Sequence, residues 1–362
     1  MTTPLVSICL PNLNTRPFLQ ERIDTILAQT CDNWELIVSD NHSDDGAWAF
    51  FEDLARRDPR VSIAQAPREG LYPNWNRCIA RARGELVYIA TSDDTMAPDC
   101  LEKLVSALEA HPEADIAHCR LRTIDEHGES LPNEWWLQGS AFAESSGPLM
   151  DLPHLRRAPF DGLLHLLGGS VYVSITQLLI RRSLFSRIGL FEPAWGSLGD
   201  FNWNMRAGLV ANTIHVPDTW GGWRCHQAQA TASAGVGSSG YAEKIDAMIS
   251  HAVSSVRHQL TPRLRMRLEH QWLPDAAALR SFQREVERYQ PPAREAFVLW
   301  RTLTGSRAAR YHTESSLLRR PLTDRIVRWL EDEGISPVLI PTSVGSRRTG
   351  AGSALRGVQG HA

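Results

Sequence analysis

The sequence predicts an α/β fold with a doubly wound, mostly parallel sheet, followed by a helical C-terminal appendage. Strand-like apolar runs alternate with helix-like segments of about ten to fifteen residues through the first 120 residues, which is typical of βαβ units. Residues 130–160 lose this periodicity and gather Pro, Gly and Ser, which predicts a long surface excursion. From residue 241 to about residue 333 the apolar spacing is helical, with breaks at prolines.

Each predicted element ends at residues that stop it. Pro11 closes the first strand, and Asp58-Pro59 ends the second helix. The predicted strands are 5–10, 35–39, 61–64, 86–90, 116–121, a strand pair around 171–180, 213–216 and 220–224. The predicted helices are 17–29, 47–57, 72–82, 98–110, one from 183 and 200–207.

Composition divides the rest of the chain. Residues 231–240, rich in Gly, Ser and Ala, predict a flexible linker, and 241–340 a helical region. Residues 341–362 are rich in Gly, Ser and Arg, which predicts a disordered tail.

The net charge of −3 hides an uneven distribution. Residues 251–362 hold 18 Arg and no Lys against 10 Asp and Glu, a net of +8, which leaves −11 for residues 1–250. An acidic first part suits a cation site, and a basic second part suits phosphates or an anionic membrane surface. Ordinary solvated surfaces explain both equally well.

The cysteines and the apolar runs indicate the cellular compartment in which the protein works. The six cysteines are scattered with no C-x-x-C pair, and several lie in apolar runs as small buried residues. The chain enters a strand-like run directly after Met1, which predicts no signal peptide. Residues 163–180 are too polar for a membrane span. We expect a reducing cytoplasm, with the inner face of the membrane as an alternative.

Polar residues gather where the predicted strands end. They follow strand one at 11–14, strand two at 40–46 and strand four at 91–94. In an open parallel sheet, ligands bind beyond these carboxyl ends. Asp93 and Asp94 are adjacent carboxylates, which repel unless a cation neutralises them, and Mg²⁺ or Mn²⁺ bound to a diphosphate is suited to do so. The alternative is that one of them caps the following helix.

An ordered series of segments resembles the family 2 glycosyltransferases. The segments are VSICLPNLN (6–14), LAQT (27–30), WELIVSD (34–40), GLYPNWNR (70–77), ARGELV (82–87), SDD (92–94), IGLFE (188–192), GDFNWNMR (199–206) and RCHQ (224–227). Four positions depart from the family pattern: Ser92 replaces the first acid of Asp-x-Asp, Asn41 replaces a second Asp, His42 replaces the Gly of Gly-Ser, and Gly199 replaces an acid.

The resemblance implies a GT-A-type catalytic domain over residues 1–230. Its first half, about 1–125, would hold a nucleotide-diphosphate sugar, and its second half, about 126–230, the acceptor. It also implies an inverting, metal-dependent transfer to a glycan or lipid-linked acceptor, with Mn²⁺ or Mg²⁺, in bacterial polysaccharide or glycoconjugate synthesis.

The resemblance also implies roles for single residues. Asp40 would accept a hydrogen bond from the base, Asp94 would ligate the metal, and Asp93 would lie on the ribose or metal side. Arginine suits the diphosphate because a guanidinium matches phosphate oxygens; Arg224 is a further arginine candidate. The candidate nucleotide-sugar contacts are Pro11, Asn14, Asp40, Arg68, Asn76, Arg77 and Asp93.

Asp200 would be the catalytic base, since an inverting transfer needs one carboxylate to take the acceptor proton. Asp200 as a helix N-cap is the open alternative. Trp195 is the first candidate for stacking on an acceptor sugar. His226 is a weaker candidate metal contact.

Rival functions are a nucleotidyltransferase and a catalytically impaired nucleotide-sugar-binding partner. The first strand lacks the Gly-rich phosphate loop of a nucleotidyltransferase, and retained Asp94 and Asp200 disfavour an impaired protein. Nothing predicts nucleic-acid binding. Residues 241–340 predict either a peripheral membrane contact or a packing or homodimer surface.

Overall fold

The computed structural model describes residues 4–131, 149–166, 170–227, 229, 241–288, 290, 293–304 and 321–341. The predicted linker at 231–240 and all but the first residue of the predicted tail lie outside these residues. The centre of the predicted excursion, 132–148, also lies outside them.

The described strands form one sheet. The strands are β1 (Val6–Asn12), β2 (Trp34–Asp40), β3 (Val61–Gln65), β4 (Leu86–Ile89), β5 (Thr95–Met96), β6 (Ile116–Ile124), β7 (His154–Arg156), β8 (Leu178–Arg181), β9 (Thr213–Arg224) and β10 (Val338–Leu339). Their order in the sheet is β10-β7-β9-β6-β8-β4-β1-β2-β3, and β5 pairs with β9.

Helices cover the faces of this sheet and make up the C-terminal region. They are α1 (Arg16–Leu27), α2 (Ala47–Arg57), α3 (Leu71–Arg81), α4 (Cys100–Ala110), α5 (Phe160–Leu166), α6 (Arg182–Ile188), α7 (Gly199–Val210), α8 (Tyr241–Val256), α9 (Pro262–Arg267), α10 (Leu273–Glu287), α11 (Ala293–Leu303) and α12 (Pro321–Asp332). A π-helical turn, Leu268–Trp272, joins α9 to α10. Short 3₁₀ turns lie at Ile175–Gln177, Pro193–Leu198 and Arg257–Gln259.

The α/β fold class is confirmed, and the sheet is mixed. Strands β1 to β4 pair in parallel, as does β6 with β9. The pairings of β8 with β4 and β6, of β7 with β9 and β10, and of β5 with β9 are antiparallel. The expectation of a mostly parallel sheet therefore holds for its first half.

Three predicted elements were wrong in detail. The strand pair around 171–180 is one strand, β8, preceded by the 3₁₀ turn. The two strands at 213–216 and 220–224 are one strand, β9, because residues 217–219 bulge out between Val216, opposite Cys119, and Trp220, opposite Arg120. The bulge takes Pro217, which has no N–H for a ladder, out of the pairing. The predicted excursion contains β7 and the start of α5.

The C-terminal helices share a core with one face of the sheet. Met248 and Val253 of α8 are buried in one apolar cluster with Trp203 and Met205 of α7. The same cluster continues through α9, α10 and α12. Because apolar burial is the main stabilising term, helices α8, α9, α10 and α12 are held to the sheet by the same kind of free energy that holds α7.

The apolar face of α12 is directed into this core. Leu322, Ile326 and Leu330 are at most 4% exposed and belong to the cluster. An interfacial helix would keep such a face free for lipid. In the described part of the chain no helix combines the length and the apolar character needed to cross a membrane.

Three buried histidines lie side by side across the second half of the sheet. His215 on β9 is opposite His154 on β7 and opposite His118 on β6. Nδ1 of His154 lies 2.8 Å from the carbonyl oxygen of Leu152, and its Nε2 accepts from Arg156 at 2.8 Å. Since Arg156 can only donate, His154 is the neutral Nδ1–H tautomer.

A chain of hydrogen bonds fixes the other two histidines in neutral form. The amide oxygen of Gln177 accepts from two backbone N–H groups, so its nitrogen donates to Nε2 of His118 at 3.0 Å. Nδ1–H of His118 then donates to Nδ1 of His215 at 3.1 Å, and Nε2–H of His215 donates to the carbonyl of Met150 at 2.9 Å. A second proton on His118 would face the N–H of Gln177, and a second proton on His215 would face the N–H of His118. In each case two donors would point at each other.

Burial is the main cause that lowers the pKa of each histidine. The pKa of His154 falls to about 4 and that of His215 to about 3, with Arg156 adding repulsion. The pKa of His118 lies well below its usual value, because of burial and of His215. The unfolded chain therefore binds more protons below about pH 6.5, and stability is lost as the pH falls toward the folded values.

We predict that the double variant His118→Leu, His215→Leu loses part of this pH dependence. Each removed histidine should take away about 1.4 kcal/mol per pH unit between the unfolded and folded pKa values. The measurement is the free energy of unfolding in urea at several pH values between 4.5 and 7. The raised pKa values of Asp94 and Asp200 act in the opposite direction, and comparing variant with parent cancels them.

The matched control is His127→Leu, which removes an exposed histidine. It should leave the slope of stability against pH unchanged. Equal slopes for the parent and the double variant would show that these histidines are not held neutral by the fold.

Candidate active site

The loops after β1 and β2 are locked together at the carboxyl edge of the sheet. The Asp40 carboxylate is buried and accepts from Nδ2 of Asn12 at 2.7 Å and from the hydroxyl and N–H of Ser43 at 2.6 and 2.9 Å. Asn14 donates its N–H to Oγ of Ser43, and its side-chain oxygen accepts from N–H of Asp44. Asp40 therefore holds together the two loops from which its carboxylate would accept a hydrogen bond from the nucleotide base.

Backbone geometry supports the same loops. Asn14 and His42 have φ angles of 54° and 53°, in the left-handed region where Asn is among the more tolerant residues. The half-exposed Arg68 donates to the carbonyl oxygens of Asn41 and His42 at 3.0 and 2.6 Å. Pro11 is buried in β1. The predicted residues Pro11, Asn14, Asp40 and Arg68 are thus brought together at one place.

The acidic loop lies between β4 and β5. Asp94 is 2% exposed and accepts from N–H of Arg224 at 2.9 Å and from the hydroxyl of Thr91. Burial, together with the neighbouring Asp93, raises the pKa of Asp94 to about 7. Asp93 is more exposed, and its Oδ2 lies 3.0 Å from Nε2 of His226. The sequence-predicted Asp93, Asp94 and His226 therefore form one cluster.

Arg224 connects this cluster to neighbouring segments through hydrogen bonds. Its buried guanidinium donates to the carbonyl oxygens of Asp93 and Asp125 at 2.7 and 2.9 Å and to the Glu21 carboxylate at 2.5 Å. The carbon of this guanidinium lies 5.1 Å from the centre of the Phe18 ring. Its nitrogens are used by the protein, which disagrees with the predicted diphosphate contact.

A second buried arginine lies beneath the acidic loop. Arg22 of α1 is fully buried, and its guanidinium has no hydrogen-bond partner among the described residues. The carbon of that guanidinium lies 5.7 Å from the centre of the Tyr88 ring. Its positive charge lowers the pKa of Asp94, against the larger effect of burial.

Asp200 lies in the first turn of α7 and is partly exposed. Its Oδ1 accepts from the hydroxyl of Tyr72 at 2.9 Å and from N–H of Phe201 at 2.8 Å. Burial raises its pKa, and the Tyr72 hydrogen bond opposes that rise. The N-cap position belongs to Leu198, so the interpretation of Asp200 as the helix N-cap was wrong.

Tyr72 was missed from the sequence as a site residue. It lies in the GLYPNWNR segment, and only the three-dimensional fold brings it to Asp200, 128 positions further along the chain. Two other polar side chains of α3 also reach distant segments. Asn74 donates to the carbonyl of Ser39 at 2.9 Å, and Asn76 exchanges two hydrogen bonds with the backbone of Phe191 at 2.8 and 3.1 Å.

Trp195, Arg77 and Asn76 are the remaining site residues predicted from the sequence. Trp195 is half-buried in the 3₁₀ turn before α7, with its ring centre 5.4 Å from that of His251. Arg77 is exposed and paired with Glu69 at 2.5 Å. Asn76 holds the backbone before Trp195, so its amide is used by the protein.

The acidic cluster fits a divalent metal ion only together with further ligands. Among the described residues, no group of three or more His, Cys, Asp and Glu side chains is placed to hold one. Two carboxylates and an imidazole are nevertheless donors that Mn²⁺ accepts, and Mg²⁺ takes carboxylates with substrate phosphates as its other ligands. The raised pKa of Asp94 is the mark of a carboxylate that lacks enough nearby positive charge.

A family model and several known proteins are similar to this chain. The model of Glycosyl transferase family 2 matches residues 7–189, just over half of the chain. "Uncharacterized glycosyltransferase EpsJ" of Bacillus subtilis (strain 168) is 33% identical over 116 residues, 32% of this chain and 33% of that protein. The chain therefore spans about a third of the length of EpsJ.

Two further similarities extend over more of the chain. "Uncharacterized protein MT1568" of Mycobacterium tuberculosis (strain CDC 1551 / Oshkosh) is 27% identical over 214 residues, 59% of this chain and 65% of that protein. The crystal structure of S. aureus TarS 1-349 in complex with UDP-GlcNAc has a TM-score of 0.51 and 15% identity, covering 76% of this chain and 79% of that one. This likeness shows the GT-A-type fold.

Proposed function

This chain belongs to glycosyl transferase family 2, and from that premise we propose that it moves a sugar from a nucleotide-diphosphate sugar to an acceptor hydroxyl. We propose an inverting, metal-dependent transfer in the synthesis of a bacterial polysaccharide or glycoconjugate. The observation that carries the proposal is Asp200, a carboxylate at the first turn of α7 with a raised pKa and a tyrosine hydrogen bond. The loops of Asp40 and Asp94 lie at the carboxyl edge of the same sheet.

The donor would lie at the loops after β1, β2 and β4. Asp40 would accept from the base, Pro11 and Asn14 would shape the pocket, and Asp93 would face the ribose. The UDP-GlcNAc bound in the TarS structure supports a nucleotide sugar as the class of donor. The side chains of Arg68 and Arg77 are 48% and 42% exposed, so a diphosphate can approach each of them beside its present protein partners.

The acceptor hydroxyl would lie against Asp200. Its carboxylate would take the hydroxyl proton as that oxygen attacks the anomeric carbon on the face opposite the leaving diphosphate. Tyr72 would hold the carboxylate in place by its 2.9 Å hydrogen bond. Trp195, in the 3₁₀ turn that precedes α7, would offer its ring face to an acceptor sugar.

Asp94, with Asp93 and His226 nearby, would hold Mn²⁺ or Mg²⁺ together with donor phosphates. When bound, the ion would neutralise the charge that develops on the departing diphosphate. The buried Asp94 must be ionised to serve as a ligand. Its pKa of about 7 means that metal binding competes with a proton near neutral pH.

The cytoplasm, with the inner face of the membrane as the alternative, stays our proposal for the working place. Residues 241–340 would contact a membrane through arginines rather than through the apolar face of α12, which is buried. The helices of residues 241–340 also contribute side chains to the core, which agrees with the alternative prediction that this region is a packing surface. A catalytically impaired binding partner is the second candidate, favoured by Ser92 in place of the first family acid.

We predict that Asp200→Asn keeps donor binding and lowers the transfer rate by roughly 10²–10⁴-fold. The amide can still accept from Tyr72 but cannot take a proton at neutral pH. The measurement is product formation from a panel of nucleotide sugars and acceptors, with donor affinity by calorimetry. The control Asp218→Asn removes an exposed carboxylate and should be neutral. Transfer at the parent rate would remove Asp200 from the mechanism and leave it a structural residue.

We predict that Tyr72→Phe moves the acid limb of the rate profile to higher pH. The lost hydrogen bond stabilised the ionised form of Asp200, so the pKa of that carboxyl should rise further. The measurement is kcat/KM against pH from 5 to 9. At high pH, where Asp200 is ionised in both proteins, the rates should converge. Tyr88→Phe, which removes a buried hydroxyl bonded to Thr176, is the control and should not move the limb.

We predict that Asp94→Asn abolishes the metal dependence of donor binding. In the parent, affinity for UDP-GlcNAc or GDP-mannose with Mn²⁺ should rise with pH by up to about tenfold per unit below pH 7, because Asp94 must lose its proton. Calorimetry with Mn²⁺ and with chelator measures both effects. Asp53→Asn, an exposed carboxylate of α2, is the control. Unchanged Mn²⁺-dependent binding in Asp94→Asn would refute the metal assignment.

A further inference from the structure

A cleft opens between the C-terminal helices, and none of its lining residues belongs to the loops of the proposed donor site. Its volume is about 310 Å³, and residues of α9, the π turn and α12 line it. Arg267, Arg325 and Arg328 supply three positive charges at its walls, against one carboxylate, Asp332. The segment matched by the family model ends at residue 189, so this cleft belongs to a part of the chain outside that match.

Two neighbouring acids are paired with arginines that do not line the cleft. Glu333 is paired with Arg263 at 2.7 Å, and Glu269 with Arg257 at 2.6 Å. Among the residues that line the cleft, three arginines stand against one carboxylate. Concentrated guanidinium charge of this kind attracts anions and repels cations.

The walls are ordered by side-chain contacts. Nη1 of Arg267 donates to the side-chain oxygen of Gln271 at 2.6 Å, which holds its guanidinium beside the π turn. Trp272 and Trp329 pack edge to face, with ring centres 5.1 Å apart, and form the apolar wall. Arg325 and Arg328 are exposed at the rim, so an incoming ligand can reach them.

Two donors in this wall lack an acceptor. Nε–H of Arg267 and Nε1–H of Trp329 are buried, and neither has a hydrogen-bond partner among the described residues. A buried donor of this kind is costly, and a ligand oxygen that reaches it after a side-chain rotation relieves the cost. The cleft therefore combines positive charge, unused donors and an aromatic face.

We propose that this cleft binds a phosphate ester or diphosphate, with the phosphate on the arginines and an attached apolar or ring group on the tryptophans. Guanidinium groups bind phosphate oxygens in pairs, and the volume lies at the lower end of small-molecule sites. The site is separate from the proposed donor loops and does not depend on the proposed transfer. A soluble phosphate compound and a phospholipid headgroup present the same chemistry.

The test measures binding of pyrophosphate and of glycerol 1-phosphate to the full chain by calorimetry. Chelator is present, so that metal-dependent binding at the acidic loop is suppressed. Tryptophan fluorescence is followed in parallel, because Trp272 and Trp329 lie in the wall. We expect saturable binding that Arg325→Gln, Arg328→Gln weakens at least tenfold. The control Arg56→Gln, Arg57→Gln removes the same charge from exposed positions on α2 and should bind as the parent does.

Vesicles distinguish the two sources of phosphate. If the ligand is a headgroup, the full chain should sediment with phosphatidylglycerol vesicles, remain in solution with phosphatidylcholine, and be released by pyrophosphate. If it is a soluble compound, calorimetric binding occurs without sedimentation. Equal loss of binding in the cleft and control variants would reduce the effect to net charge and overturn the proposal. Absence of binding to both phosphates and to vesicles would also overturn it.

Discussion

The polar side of α3 is the constraint on which the candidate site depends. Tyr72 reaches Asp200, Asn74 reaches the ends of β1 and β2, and Asn76 holds the backbone at Phe191. These contacts connect the loops proposed for the donor with the segment proposed for the acceptor. A displacement of α3 would therefore move both halves together, which matters because a shift of about 1 Å can cost a transfer reaction about 10²-fold.

Electrostatics at the acidic loop follow from the same packing. Burial of Asp94 beside Asp93 raises its pKa, while the buried Arg22 and the N–H of Arg224 act against the rise. Neither is enough to bring the pKa to its usual value. The loop is thus built around a carboxylate whose charged form is incompletely stabilised by the protein, which is the condition under which a bound cation gains most.

Local signals were sufficient to predict the first half of the fold. Helix α2 lies where the sequence placed it, at 47–57, since its amphipathic pattern and the stop at Asp58-Pro59 are local. Strand β7 and the contact of Tyr72 with Asp200 were missed, because each depends on a partner distant in sequence. Local chemistry also suggested Arg224 for phosphate, whereas its guanidinium ties the acidic loop to α1.

The C-terminal helices affect Asp200 through packing. Helix α7 lies between α5 and α8; Gly162 and Gly208 let the backbones of α5 and α7 approach so closely that an added Cβ would overlap them. On the other side, Asn202 donates to the carbonyl of Met248 in α8. Removing the chain after residue 240 would uncover the apolar face of α7 and the residues behind Asp200. Point variants at the arginine cleft, rather than truncation, are therefore the way to separate a ligand site in these helices from their support of the catalytic helix.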